Sequence, residues 1–92
     1  MRSPRLLEAE ARALFAGLAG WAMETDRLRK RYAFDSFAAA IGFVNRVAAL
    51  AEAADHHPDI LIEYRHVTLT LTTHDAGGLT AHDFSLAARI DS

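Results

Sequence analysis

The sequence predicts an α+β domain in which helices pack on one face of a four-stranded antiparallel sheet, in the order helix-β-β-helix-β-β-helix. Three observations support this prediction. The spacing of apolar residues alternates along the chain between the helical period of three to four and the strand period of two. Two hairpin patterns are separated by one long helical pattern, which favours an antiparallel sheet. A chain of 92 residues is too short for two hydrophobic cores, so residues 1–92 are expected to form a single domain.

The first helix and the first hairpin are predicted within residues 3–34. Ser3 is a favourable N-cap, and Pro4 suits the first helical position because its missing N–H costs nothing there. Apolar residues then follow at helical spacing over roughly four turns, up to two glycines. The apolar residues are Leu7, Ala11, Leu14, Phe15 and Leu18, and the glycines are Gly17 and Gly20. Residues 21–34 lose the helical period and flank a polar turn, which predicts two strands. The basic run at 27–31 could be a nucleic-acid patch, but a solvated edge strand explains it better.

The second helix is predicted to begin after a cap at Asp35 or Ser36 and to end before Pro58. It carries two adjacent apolar stripes. The first stripe consists of Phe37, Ile41, Val44, Ala48 and Ala51, and the second stripe of Ala40, Phe43, Val47, Leu50 and Ala54. Together they cover more surface than one sheet contact requires. Either the helix is fully covered within one chain, or its second stripe packs against another subunit.

The strand period returns after Pro58. Apolar and polar residues alternate over residues 60–72, with a tight turn expected near Arg65-His66, and this is the strongest hairpin pattern in the chain. Thr80 then caps the last helix, with Asp83 as its third residue, an arrangement typical of a capping box.

The composition limits the chemistry that this chain can perform. The absence of cysteine excludes a disulfide framework, a thiolate zinc site, an iron–sulfur cluster and a cysteine nucleophile. A net charge of -2 favours neither nucleic acid nor an anionic membrane as a direct partner. Hydrophobic residues make up 51% of the chain, but 19 of them are alanines, so we expect a thin core that self-association completes. Residues 1–5 lack the apolar run of a signal peptide, so we expect a cytoplasmic protein.

All five histidines lie in the second half of the chain, and three of them form a candidate site. Pro58 must end the second helix, so His56 is expected on the last helical turn and His57 in extended backbone, with both rings turned toward one cleft. His74 is placed at the end of the last strand, where loops often carry function. These three histidines are therefore candidates for acid–base catalysis.

Other interpretations compete with a catalytic site. His66, in a turn, and His82, in the first turn of a helix, are better explained as solvated surface residues, and capping alone can explain Asp83. Imidazole and carboxylate groups could also hold zinc or iron. The spacing contains neither H-E-x-x-H nor a facial-triad pattern, so no metal site is predicted.

Seven residues with fixed spacing span the end of the second helix and the region after it. They are Glu52, His56, His57, Pro58, Tyr64, His74 and Asp83, with gaps of three, five, nine and eight residues. Residues 43, 45–48, 67–69, 72–74, 78–79 and 86–87 around them belong to the same resemblance. This pattern resembles the signature of the pterin-4a-carbinolamine dehydratases, whose vertebrate members are also the dimerization cofactor of a homeodomain transcription factor. The resemblance covers nearly the whole chain from about Leu6.

The resemblance implies the fold predicted above and a cofactor-free dehydration of 4a-hydroxytetrahydrobiopterin to quinonoid dihydropterin, in tetrahydrobiopterin recycling. It assigns proton transfer to His56 and His74, and mainly orientation of the pterin to His57. The implied substrate contacts are His56, His57, Pro58, Thr73, His74, Asp75 and Ala76, and the implied supporting carboxylates are Glu52, Asp55 and Asp83. It also implies a homodimer or homotetramer. The alternative function is a non-catalytic protein-binding module on the same fold.

Overall fold

A computed structural model describes residues 4–92 and confirms the predicted order of elements. The helices are α1 (Glu8–Phe15), α2 (Phe37–Ala54) and α3 (Ala81–Ile90), with a short 3-10 turn at His74–Ala76. The strands are β1 (Ala22–Glu24), β2 (Arg27–Ala33), β3 (Asp59–Glu63) and β4 (His66–Leu71). The fold class is α+β, as the alternation of helical and strand periods indicates.

The four strands form one antiparallel sheet in the order β1-β2-β4-β3. Strand β4 lies inside the sheet, and its Val67, Leu69 and Leu71 are fully buried, together with Leu28 opposite Leu71. These side chains share one core with residues of all three helices, among them Ala11, Ala40, Val47, Leu86 and Ile90. The alternate residues of β2 and β4, such as Arg29 and Thr70, are exposed or half-buried. The helices therefore cover one face of the sheet, which is the predicted architecture.

Helix α1 begins later than the sequence predicts. Ser3 lies outside the described residues, and Pro4 precedes the helix in irregular backbone. The helix starts after Leu7, whose N–H donates to Glu10 Oε1 at 2.9 Å. The N–H of Leu6 donates to the carbonyl of Leu79 at 2.8 Å, so the segment before α1 is bound to the loop before α3. This tertiary contact replaces the first turns of the predicted helix, and α1 keeps only 8 residues.

Helix α2 begins as predicted, since Ser36 accepts a hydrogen bond from the N–H of Ala39 at 3.0 Å. Neither interpretation of α2 holds in full, because the second stripe packs in the core of its own chain and yet the helix is not fully covered within that chain. Ala40 and Val47 of that stripe are fully buried in the core of the same chain, whereas Phe37 of the first stripe is 52% exposed. By length and apolar composition alone α2 could cross a membrane, a test that core helices of soluble proteins also pass.

The turn between β3 and β4 lies one residue earlier than predicted. Tyr64 and Arg65 form a two-residue connection, with Tyr64 in the left-handed region at φ 54°. His66 therefore belongs to β4, where it pairs with Glu63 and Ala33 and is half-buried. The alternation of residues does not reveal the shift, because it specifies which residues share a face but not where the chain reverses.

Candidate active site

The end of α2 determines where the paired histidines lie. Asp55 adopts the left-handed conformation at φ 50° and ψ 42°, and its N–H donates to the carbonyl of Glu52 at 3.2 Å. The N–H of His56 donates to the carbonyl of Ala51 at 3.1 Å. This pair of bonds is a Schellman motif, which turns the chain away from the helix axis. His56 therefore lies just beyond the helix, not on its last turn as predicted, and His57 follows it in non-helical backbone.

The loop after β4 positions the third histidine. Thr73 and Gly78 exchange two backbone hydrogen bonds, of 3.1 Å and 3.3 Å, and so close a small loop. Inside it the chain makes the 3-10 turn from His74 to Ala76, and Gly77 ends the turn in the left-handed region at φ 74°. His74 therefore stands at the strand end, as the sequence predicts, on a closed loop.

A cleft of about 240 Å³ lies between these two chain segments. Its walls are Asp55, His56, His57, Thr72, Thr73, His74 and Asp75. The structure thus brings the three candidate histidines together at one cleft. Two larger depressions, of about 580 Å³ and 570 Å³, lie elsewhere on the surface and contain no histidine.

Some of the expected site residues lie outside the cleft wall. Glu52, Pro58, Ala76 and Asp83 are absent from the lining of the cleft. Thr72 is part of the lining, although the sequence did not single it out as a site residue. Its hydroxyl donates to the carbonyl of Asp26 at 2.6 Å, which ties the cleft to the turn of the first hairpin. The only sequence signal for Thr72 as a site residue was its position directly before Thr73 in the segment 72–74.

Asp83 is fully buried and contacts His56 from behind the cleft. Its Oδ1 lies 2.5 Å from His56 Nε2. Its Oδ2 accepts hydrogen bonds from the Thr73 hydroxyl at 2.8 Å and from the N–H of Thr80 at 2.9 Å. The predicted capping box of α3 is confirmed, but capping alone does not account for this residue. A buried carboxylate requires such donors, and here one of them is a candidate catalytic ring.

His57 and His74 are held much more loosely than His56. His57 Nε2 lies 3.4 Å from Glu52 Oε1, and the two side chains are 55% and 81% exposed. An exposed pair at this distance contributes little energy. The side chain of His74 is exposed and makes no hydrogen bond to any residue between 4 and 92. Both rings are therefore free to adjust to a bound molecule.

The two remaining histidines differ in their relation to the site. His66 lies in β4, and no contact joins it to the cleft within the described part of the chain. His82 is exposed, as predicted, but its ring centroid is only 6.0 Å from that of His56. His82 is thus a neighbour of the site that its position at the start of a helix did not reveal. Over residues 4–92, no group of three or more His, Asp or Glu side chains is arranged to hold a metal ion.

Comparison with known proteins identifies the relatives of this chain. Residues 4–92 match the family model of pterin 4 alpha carbinolamine dehydratase. A Roseiflexus protein is 55% identical over 87 residues, covering 95% of this chain and 94% of its own. A Chloroflexus aurantiacus protein is 54% identical over 88 residues, covering 96% and 95%. Both relatives carry the provisional name pterin-4-alpha-carbinolamine dehydratase.

Two solved structures share the fold. A crystal structure described as a transcriptional coactivator/pterin dehydratase from Brucella melitensis is similar with a TM-score of 0.89 and 32% identity, covering 95% of each chain. A pterin dehydratase-like protein described as a RuBisCO assembly factor in the alpha-carboxysome is similar with a TM-score of 0.63 and 32% identity. That match covers 77% of this chain and 82% of the other.

Proposed function

Because this chain belongs to the pterin 4 alpha carbinolamine dehydratase family, we propose that it is a hydro-lyase that converts 4a-hydroxytetrahydrobiopterin to quinonoid dihydropterin and water. The observation that carries the proposal is the cleft that gathers His56, His57 and His74. Three imidazoles at one opening supply both proton donors and proton acceptors near neutral pH. The proposal extends to a role in tetrahydrobiopterin recycling in the cytoplasm.

The proposed reaction moves two protons and breaks one bond. A proton reaches the hydroxyl oxygen on C4a, and the C4a–O bond breaks with loss of water. The lone pair of N5 forms the new C4a=N5 double bond, and the proton on N5 passes to a base. One acid and one base suffice, and each well-placed group contributes about 10²–10⁴ in rate. The balance of atoms requires no oxidant and no cofactor.

The proposed roles follow the different ways in which the rings are held. His56, fixed by buried Asp83, and His74, on the closed loop opposite, form the proton-transfer pair. His57 mainly orients the pterin. Thr73 and Asp75 contact the substrate from the cleft wall. Pro58 and Ala76, each next to a wall residue in the chain, complete the proposed contacts, while Glu52 and Asp55 support the histidines.

The decisive experiment follows the decay of the 4a-carbinolamine absorbance with purified protein. We expect acceleration by the wild-type chain and a loss of about 10²-fold or more in His74→Ala, because a positioned proton-transfer group is removed. His66→Gln is the matched control, since His66 lies in β4 away from the cleft, and it should keep the wild-type rate. An unchanged rate in His74→Ala, or no acceleration by the wild type, would contradict the proposal. Full activity after exhaustive chelation would exclude a required metal ion.

A second candidate function is that of a protein-binding module. It is favoured by the two solved structures, one described as a transcriptional coactivator and the other as an assembly factor. The presence of His56, His57 and His74 around one cleft is better explained by catalysis. A purified chain that binds a protein partner but does not accelerate the dehydration would favour the second candidate.

A further inference from the structure

We infer that the Thr73 hydroxyl is a positioning group that holds Asp83 as a proton acceptor, so that His56 carries its proton on Nε2 and presents Nδ1 to the cleft. The catalytic consequence of this inference rests on the proposed function. The hydrogen-bond arrangement itself is independent of the proposed function.

The first step concerns the direction of the hydrogen bonds around Asp83. The backbone N–H of Thr80 can only donate, and it reaches Oδ2 at 2.9 Å. Thr73 has a single hydroxyl proton, which it donates to the same oxygen at 2.8 Å. The hydroxyls of Thr73 and Thr80 are 2.9 Å apart, so Thr80 must donate to Thr73. Thr80 can do so because its own oxygen accepts backbone N–H groups at the start of α3. The Thr80 hydroxyl proton therefore points to the Thr73 oxygen, and the Thr73 hydroxyl proton points to Asp83.

The second step concerns the proton between Asp83 and His56. Asp83 is 0% exposed, and Oδ2 is already an acceptor of two hydrogen bonds. A buried carboxylate is stable when each oxygen meets a donor. The only side chain that faces Oδ1 within residues 4–92 is His56, whose Nε2 lies 2.5 Å away. This arrangement places the proton on Nε2, which fixes the tautomer of the ring.

The third step concerns the other ring nitrogen. His56 Nδ1 makes no hydrogen bond to residues 4–92, yet no buried side-chain nitrogen or oxygen in that part of the chain lacks a partner. Nδ1 is therefore open to solvent, and His56 lines the cleft. In the neutral ring Nδ1 is an acceptor, and in the charged ring it is a donor. Every proton that His56 exchanges with a pterin thus passes through Nδ1.

The test combines nuclear magnetic resonance with kinetics. In the wild-type protein labelled with ¹⁵N-histidine and free of substrate, we expect neutral His56 to be almost entirely the Nε2–H tautomer. Thr73→Val removes the hydroxyl but keeps the β-branched shape, and should lower the ratio of the two tautomers at His56 several-fold. It should also lower kcat, by no more than about 10²-fold. Removing a positioned proton-transfer group itself costs about 10²-fold or more, and this variant only disturbs the position of such a group. Thr73→Ser restores the hydroxyl and should recover both values.

Thr70→Val is the matched control, because Thr70 lies in β4, three residues before Thr73, with its side chain on the opposite face of the sheet from the core. It should change neither the tautomer ratio nor kcat. A wild-type His56 with its proton on Nδ1, or a Thr73→Val protein with the wild-type tautomer ratio, would overturn the inference. If thermal unfolding shows that Thr73→Val does not fold, the tautomer of the wild type and of Thr73→Ser decides instead. The spectra need no substrate, so a wild type that lacks dehydratase activity but shows Nε2–H refutes the proposed function alone.

Discussion

His56 and Asp83 illustrate how individual residues build this site. They are separated by 27 positions in sequence, and a 2.5 Å contact joins them. The motif spacing singled out both residues, but each had a simpler local explanation. His56 could have been a helix-terminal histidine, and Asp83 a capping residue. Their contact makes Asp83 part of both the helix cap and the histidine site, so its replacement would disturb stability and the proposed chemistry together.

At the residue scale, the left-handed conformation of Asp55 leads to a prediction about stability. The left-handed conformation costs a residue other than glycine about 1–2 kcal/mol of steric energy, and aspartate tolerates this conformation better than most residues. We therefore expect Asp55→Val to lower the free energy of unfolding by about 1–2 kcal/mol, while Asp55→Gly keeps or raises it. Urea denaturation measures both. Equal stability of the two variants would show that the Schellman motif does not require the left-handed residue.

At the scale of elements, Asp91 connects the end of α3 to the first hairpin. Its carboxylate accepts hydrogen bonds from Trp21 Nε1 at 2.8 Å, Lys30 Nζ at 2.9 Å and the Tyr32 hydroxyl at 2.6 Å. Burial acts to raise the pKa of Asp91, but the hydrogen bonds from Lys30, Tyr32 and Trp21 outweigh it and hold this pKa below its ordinary value. Burial, followed by the bond to Asp91, raises the pKa of Tyr32. Three side chains of the first hairpin thus donate their hydrogen bonds to a single carboxylate.

A pH dependence of stability follows from this connection. A carboxyl group with a lowered pKa in the folded state contributes stability above its unfolded pKa of about 3.9, and this contribution is lost as the pH falls through the folded value. We expect Asp91→Asn to be less stable than the wild type at pH 7, with a smaller difference at pH 3. Thermal unfolding at the two pH values measures this. Asp35→Asn, a change at an exposed carboxylate before α2, is the control. A difference that does not shrink on acidification would contradict the prediction.

Element boundaries show where local signals were sufficient. Ser36 and Thr80 cap α2 and α3 as predicted, because a capping side chain and the N–H that it accepts from are only two or three residues apart. The start of α1 was wrong, since a bond between Leu6 and Leu79 competes with helix formation. No local pattern reports a partner that far along the chain.

At the scale of the whole molecule, several large apolar side chains remain exposed on the single chain. Phe37, Leu61 and Tyr64 are 52%, 55% and 68% exposed. The expected homodimer or homotetramer would cover side chains of this kind and would supplement the thin, alanine-rich core.

Sedimentation can measure the predicted self-association. We expect a mass well above the 10.1 kDa of one chain, and dissociation by Phe37→Glu, which places a charge on the outer side of α2. Leu14→Glu is the control, since Leu14 is a 44% exposed apolar residue on a different helix. A stable 10.1 kDa species in the wild type would refute the prediction. Ala40→Glu would not test the interface, because Ala40 is buried within the chain and the substitution would disrupt its core.

The sequence by itself determined the class of fold, the order of its elements, the caps of the two longer helices and the three histidines of the cleft. These features depend on periodicity and capping, which act over a few residues, and on motif spacing, which is visible as fixed gaps along the chain. The tertiary structure alone decided which stripe of α2 meets the sheet, where α1 begins and which donors surround Asp83. The physical reason is that these contacts join residues distant in sequence, so they exist only once helices and sheet have packed together.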